Sequence, residues 1–99
     1  NWNGLTTDAF AEYLSTIIIN NIKIPNLLHV VPSNFISKYK LLKCLKKKYK
    51  RNDLTIKSIK TIPKVDRTLS TQYKVLNKKI WSLSNFNKIP KIEEMIDRI

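Results

Sequence analysis

Leu27-Leu28-His29-Val30-Val31, closed by Pro32 and Ser33, is the stretch on which the fold of this 99-residue chain turns. It is a short apolar run, rich in branched side chains and bracketed by Pro25 and Pro32, and it reads as a strand buried on both faces. Downstream, Leu54-Thr55-Ile56-Lys57-Ser58-Ile59-Lys60-Thr61 alternates apolar and polar residues, the period-2 pattern of a second strand. Between the two, Ser37 is placed to cap a helix, with Ile36 just before it as a staple residue. Leu41, Leu42, Leu45 and Tyr49 then recur on a helical period. Strand, helix and strand in so short a compass predict parallel strands joined by a right-handed crossover. The expected fold is therefore α/β: one domain over residues 1–99, a small lobe built on a two-stranded parallel βαβ unit (residues 27–31 beside 54–59) with flanking helices.

Toward the N-terminus, Phe10, Leu14, Ile17 and Ile18 fall at i, i+4, i+7 and i+8 and predict a helix over residues 7–20 with one apolar stripe. Trp2-Asn3-Gly4-Leu5-Thr6-Thr7 before it reads as a turn. Gly4 is free to take a positive φ, Thr6 or Thr7 to cap the helix, and Asp8 to favour its first turn. Toward the C-terminus, residues 63–70 read as a loop, 71–77 as a short helix capped by Ser70, and 81–87 as irregular. Pro90 opens a last helix with Ile92, Met95, Ile96 and Ile99 on its buried face.

The net charge of +12 comes from 16 lysines and 3 arginines against 7 acidic residues. Abundant Lys, Ile and Asn together are the signature of an AT-rich coding sequence, yet the resulting field attracts phosphate-bearing ligands whatever its origin. No apolar run approaches the roughly 18–20 residues of a membrane span. Cys44 is alone, which rules out an internal disulfide and a Cys-based zinc site and fits a reducing, cytoplasmic setting. No triad, carboxylate pair or metal-ligand cluster is spaced for chemistry. A single glycine cannot build the Gly-rich turn that cradles a dinucleotide pyrophosphate, so no cofactor is expected in this chain.

Tyr39 and Lys43 match the Tyr-x-x-x-Lys spacing by which a lysine lowers a catalytic phenol's pKa, but in a helix so dense in lysine the spacing is cheap and reads as structural. His29, between Leu28 and Val30, reads as a core histidine. Lys46-Lys47-Lys48-Tyr49-Lys50-Arg51 reads either as a solvated helix end or, as the alternative function, as the patch of a small basic nucleic-acid-binding module. No aromatic platform interleaves with it.

Four segments in order carry a family likeness: Trp2-Asn3-Gly4-Leu5-Thr6-Thr7, Leu27-Leu28-His29-Val30-Val31-Pro32-Ser33, Ile36-Ser37-Lys38-Tyr39-Lys40-Leu41-Leu42 and Val65-Asp66-Arg67-Thr68-Leu69-Ser70-Thr71. Over nearly its whole length the chain resembles the C-terminal, substrate-binding part of nucleotide-sugar short-chain dehydrogenases of the dTDP-4-dehydrorhamnose reductase kind. It departs from them in lacking the late Arg-Pro pair and in a longer link over residues 77–88.

The resemblance implies a piece of a longer oxidoreductase. An N-terminal Rossmann domain outside the chain would bind NAD(P), and the lobe alone would be inactive. It places Arg67, Thr6, Thr7 and Trp2 near the nucleotide-sugar. Arg67 has a planar fork suited to a diphosphate, and pairing with Asp66 or Asp53 stands beside that role. Helix capping stands beside the substrate role for Thr6 and Thr7, and packing for Trp2. Without its other half such a lobe is expected to be marginal or to self-associate, with Phe10, Ile17, Ile18, Ile92 and Met95 at the interface.

Overall fold

The computed structural model describes residues 1–57, 66 and 68–99. Four helices follow one another: α1 (Thr7–Ile19), α2 (Lys38–Lys48), α3 (Lys74–Leu83) and α4 (Ile92–Asp97). α1 packs on α3 and α2 on α4. Local chemistry sets most of the ends. The Thr6 hydroxyl accepts the Ala9 N–H at 3.1 Å and the Ser37 hydroxyl accepts that of Lys40 at 3.2 Å, so both predicted caps form. α1 and α2 each close in a Schellman turn: Ile22 N–H reaches the Ile17 carbonyl and Arg51 N–H that of Lys46, with Asn21 and Lys50 in the left-handed region at φ 49° and 53°. The α4 N-terminus is capped from outside its own segment, where Asn34 Oδ1 accepts the Ile92 N–H at 2.9 Å.

The α/β expectation is overturned, since among the described residues there is no strand and no sheet. Pairing is limited to one antiparallel bridge, in which Trp2 and Ile36 exchange backbone hydrogen bonds at 2.7 and 2.8 Å. Residues 27–31 run without a ladder, and Leu27 is 71% exposed. What anchors them is side chains: the Val31 carbonyl accepts from Asn77 Nδ2 at 3.2 Å and from Trp81 Nε1 at 3.1 Å. An extended apolar segment becomes a strand only beside another, and here α3 takes that place. Leu54 to Lys57 carry no strand either, and the rest of the predicted second strand, residues 58–61, lies outside the described residues. His29 is likewise exposed rather than in the core.

The core gathers Ala9, Tyr13, Ile80, Trp81, Phe86, Ile92, Met95 and Ile96, with Ile36. Trp81 lies at its centre, fully buried, with the rings of Tyr13 and Phe86 edge-on at centroid distances of 4.8 and 5.6 Å. α1 thus buries Ala9, Tyr13 and Thr16; of the expected stripe only Ile17 packs against the core, half-buried, while Phe10, Leu14 and Ile18 face outward. Ile92 and Met95, expected at an outer interface, are inside.

Tyr13 O–H donates to Asn77 Oδ1 at 3.2 Å, and burial pushes its pKa from the ordinary 10.0 up to about 12. The folded state therefore holds the phenolic proton more tightly than the unfolded chain does. That stability is complete below pH 10 and is lost as pH rises through about 12. Melts between those limits are expected to show a loss of about 2–3 kcal/mol that Tyr13→Phe does not share. Equal alkaline sensitivity in the two proteins would remove Tyr13 as its source.

Candidate functional site

The opening segment does not form the expected turn; it runs extended into α1, and it meets the segment before α3 although the two lie far apart in sequence. Asn3, nearly buried, donates from Nδ2 to the Leu69 carbonyl at 2.6 Å and accepts the Leu69 N–H on Oδ1 at 2.8 Å, a contact across 66 residues. Beside it opens a hollow of about 410 Å³ lined by Trp2, Leu5, Thr6, Thr7, Phe10 and Val30, with Asn3, Gly4 and Leu69 completing the wall. A second hollow, also about 410 Å³, lies on the other side of Asn3 and Leu69 and includes Asn34, Thr71, Lys74 and Asn77.

Three of the four residues that the sequence placed near substrate are therefore brought together: Trp2, Thr6 and Thr7 line one hollow. Thr6 also caps α1; its oxygen accepts the Ala9 N–H, which leaves the hydroxyl proton to donate. Arg67 lies outside the described residues. Of its neighbours, Asp66 accepts on Oδ1 from the Thr68 N–H at 3.0 Å and from the Thr68 hydroxyl at 2.8 Å. Those bonds hold the Asp66 carboxyl below its ordinary range. Asp53, the other carboxylate weighed as a partner for Arg67, is gripped at both oxygens by Arg51 at 2.9 Å, which lowers its pKa in the same way.

Gly4 has a different reason from the one expected. It has no positive φ, but a Cβ built on it would collide with the Trp2 indole. The glycine lets that ring lie against the backbone at the mouth of the hollow. Spacing alone does not reveal this, because the indole folds back on a residue only two positions away. The indole thereby covers the one glycine of the chain.

The Tyr39 and Lys43 spacing is occupied by a surface cation–π contact, with Lys43 Nζ 5.1 Å from the Tyr39 ring centroid. Lys48, within the basic run, donates to the Asp97 carbonyl at 2.8 Å. Among the described residues no group of three His, Cys, Asp or Glu is placed to hold a metal ion. No helix among them is long and apolar enough to cross a membrane. Comparison of the chain with protein-family models, with curated proteins and with solved structures finds no match in any of the three.

Proposed function

We propose that this chain is the nucleotide-sugar-binding part of a cytoplasmic NAD(P)-dependent reductase or epimerase, with the cofactor, hydride donor and acid pair supplied by a Rossmann domain outside these 99 residues. The observation that carries the reading is the meeting of two distant segments. The segment at Trp2 to Thr7 and the loop around Leu69, the two places that the resemblance assigns to substrate, are hydrogen-bonded to each other and share the walls of one hollow. The hollow's chemistry is apt for a nucleotide. Trp2 offers an aromatic face for a base, a contact worth about 1–3 kcal/mol where stacking is complete. Thr6 and Thr7 offer hydroxyls to a sugar, and the field of a +12 chain draws a diphosphate.

Arg67 enters as the diphosphate ligand, by resemblance. Calorimetric titration with thymidine diphosphate is expected to show saturable binding that Arg67→Ala weakens by about 1.5–3 kcal/mol, the range for hydrogen bonds to a charged group. NADH and NADPH are expected not to bind. A chain that binds NADH at micromolar concentration, or that ignores the diphosphate, does not have this function.

A further inference from the structure

We propose that Asn3 is a positioning residue: its side-chain amide holds the loop at residues 68–71 as a shared wall between the two hollows, and so shapes the cleft that receives the diphosphate end of the ligand. The clasp is read from geometry alone, and its ligand role rests on the function proposed above.

Four observations carry it. Asn3 is 9% exposed, and both ends of its amide are used on a single peptide unit, at 2.6 Å to the Leu69 carbonyl and 2.8 Å from the Leu69 N–H. Among the described residues these are the hydrogen bonds that tie residues 66–71 to another part of the chain; the others there are local, from Asp66 to Thr68 and from Thr71 to Tyr73. Leu69 is 58% exposed, so its own burial does little to hold it, and the amide pair takes that role there, while Thr71 at the end of the loop is buried. Asn3 and Leu69 also line both hollows, so the pair is the partition between them.

A side-chain amide can do this because it presents one donor and one acceptor side by side, as a peptide group does. Alanine presents neither. An ionised aspartate presents two acceptors and sets one of them against the Leu69 carbonyl. A protonated aspartic acid restores the pattern, with O–H to the carbonyl and C=O to the N–H. Asn3→Asp is therefore a reversible version of the clasp, broken at neutral pH and remade below the pKa of the introduced acid.

Two measurements test this on the 99-residue chain. Amide hydrogen exchange at Leu69 is expected to be slow in the wild type and at least 10-fold faster in Asn3→Ala, while exchange inside α1 and α3 changes little. Thymidine diphosphate binding is expected to weaken at least 10-fold in Asn3→Ala. In Asn3→Asp the deficit, taken as a ratio to wild type at the same pH, is expected in full at pH 7 and to shrink as pH falls through the ordinary aspartate range of about 4. Recovery with pH is a result that general damage to the fold would not give.

Equal Leu69 exchange in wild type and Asn3→Ala overturns the clasp. Binding that is insensitive to Asn3→Ala, or that stays lost in Asn3→Asp at low pH, overturns its ligand role. Failure of the wild type to bind the diphosphate overturns the function proposed above, and the clasp then stands or falls on Leu69 exchange.

Discussion

Trp81→Ala is expected to remove about 3–5 kcal/mol of stability, the range for truncating a large buried aromatic residue, and so to leave little or no folded chain at room temperature. Trp81 is where the parts of the fold join. Its ring fills the centre of the core, it meets Tyr13 of α1 and Phe86 of the turn after α3 edge-on, and its Nε1 holds the Val31 carbonyl. Removing the indole opens a cavity under α1 and frees the extended segment at residues 27–31 from one of its two hydrogen bonds. The other bond, from Asn77, remains, so Trp81→Phe separates the two effects. It keeps most of the apolar volume and loses the N–H, and it is expected to cost about 1–2 kcal/mol. Urea titrations of the three proteins, compared at equal slope, provide the measurement. A loss under about 1 kcal/mol for Trp81→Ala would mean that the helices hold together without this core.

The helix ends were largely legible in the sequence. Thr6 and Ser37 are short hydroxyl side chains just ahead of periodic apolar segments, a local signal that local bonds satisfy. α3 was not legible in the same way. Ser82, Ser84, Asn85 and Asn87 make residues 81–87 look irregular, yet Lys74–Leu83 is helical because Ile80 and Trp81 are drawn into the core. A tertiary contact outweighs weak local propensity there. The apolar run at residues 27–31 failed as a strand for a related reason. Its backbone partner is a pair of side chains on α3, and nothing in a run of Leu and Val announces that.

The face of α1 was misassigned for a third reason. Ala9 and Thr16 are small, so a scan for large apolar residues passes over them, but small residues on either side of Tyr13 let the helix seat closely on α3. Thr16 bears burial at little cost because its hydroxyl donates to the Glu12 carbonyl at 2.8 Å. At the candidate site, Trp2, Thr6 and Thr7 were legible as neighbours just ahead of a helix, though the turn expected there does not form. Asn3 was not, because its role lies in a peptide group 66 residues away.

In solution the chain is expected to pair through the outer face of α1. It exposes 7629 Å², whereas a compact monomer of its mass exposes about 5,800 Å². The excess, about 1,800 Å², is larger than the roughly 800 Å² that one partner gives to a standard interface. It follows from a slab-like shape of 45 × 32 × 17 Å with a radius of gyration of 15.2 Å, against about 13 Å for a compact chain of this length.

Part of the apolar surface lies as one stripe on α1, where Phe10 is 45% and Ile18 76% exposed and Leu14 lies between them. α1 contains Asp8 and Glu12 and no lysine or arginine, so two copies of a +12 chain can meet along it without setting cation against cation. A second copy seated two-fold on this face would bring Phe10 of one protomer toward Ile18 of its partner, with Leu14 near the axis. Sedimentation equilibrium is expected to show a dimer that tightens as added salt screens the remaining charge, and Leu14→Lys is expected to return the protein to monomers without altering its helix content. A wild-type chain that stays monomeric at every concentration and salt, with a sharp cooperative melt, would show that the stripe is tolerated in water and that α1 needs no cover beyond α3.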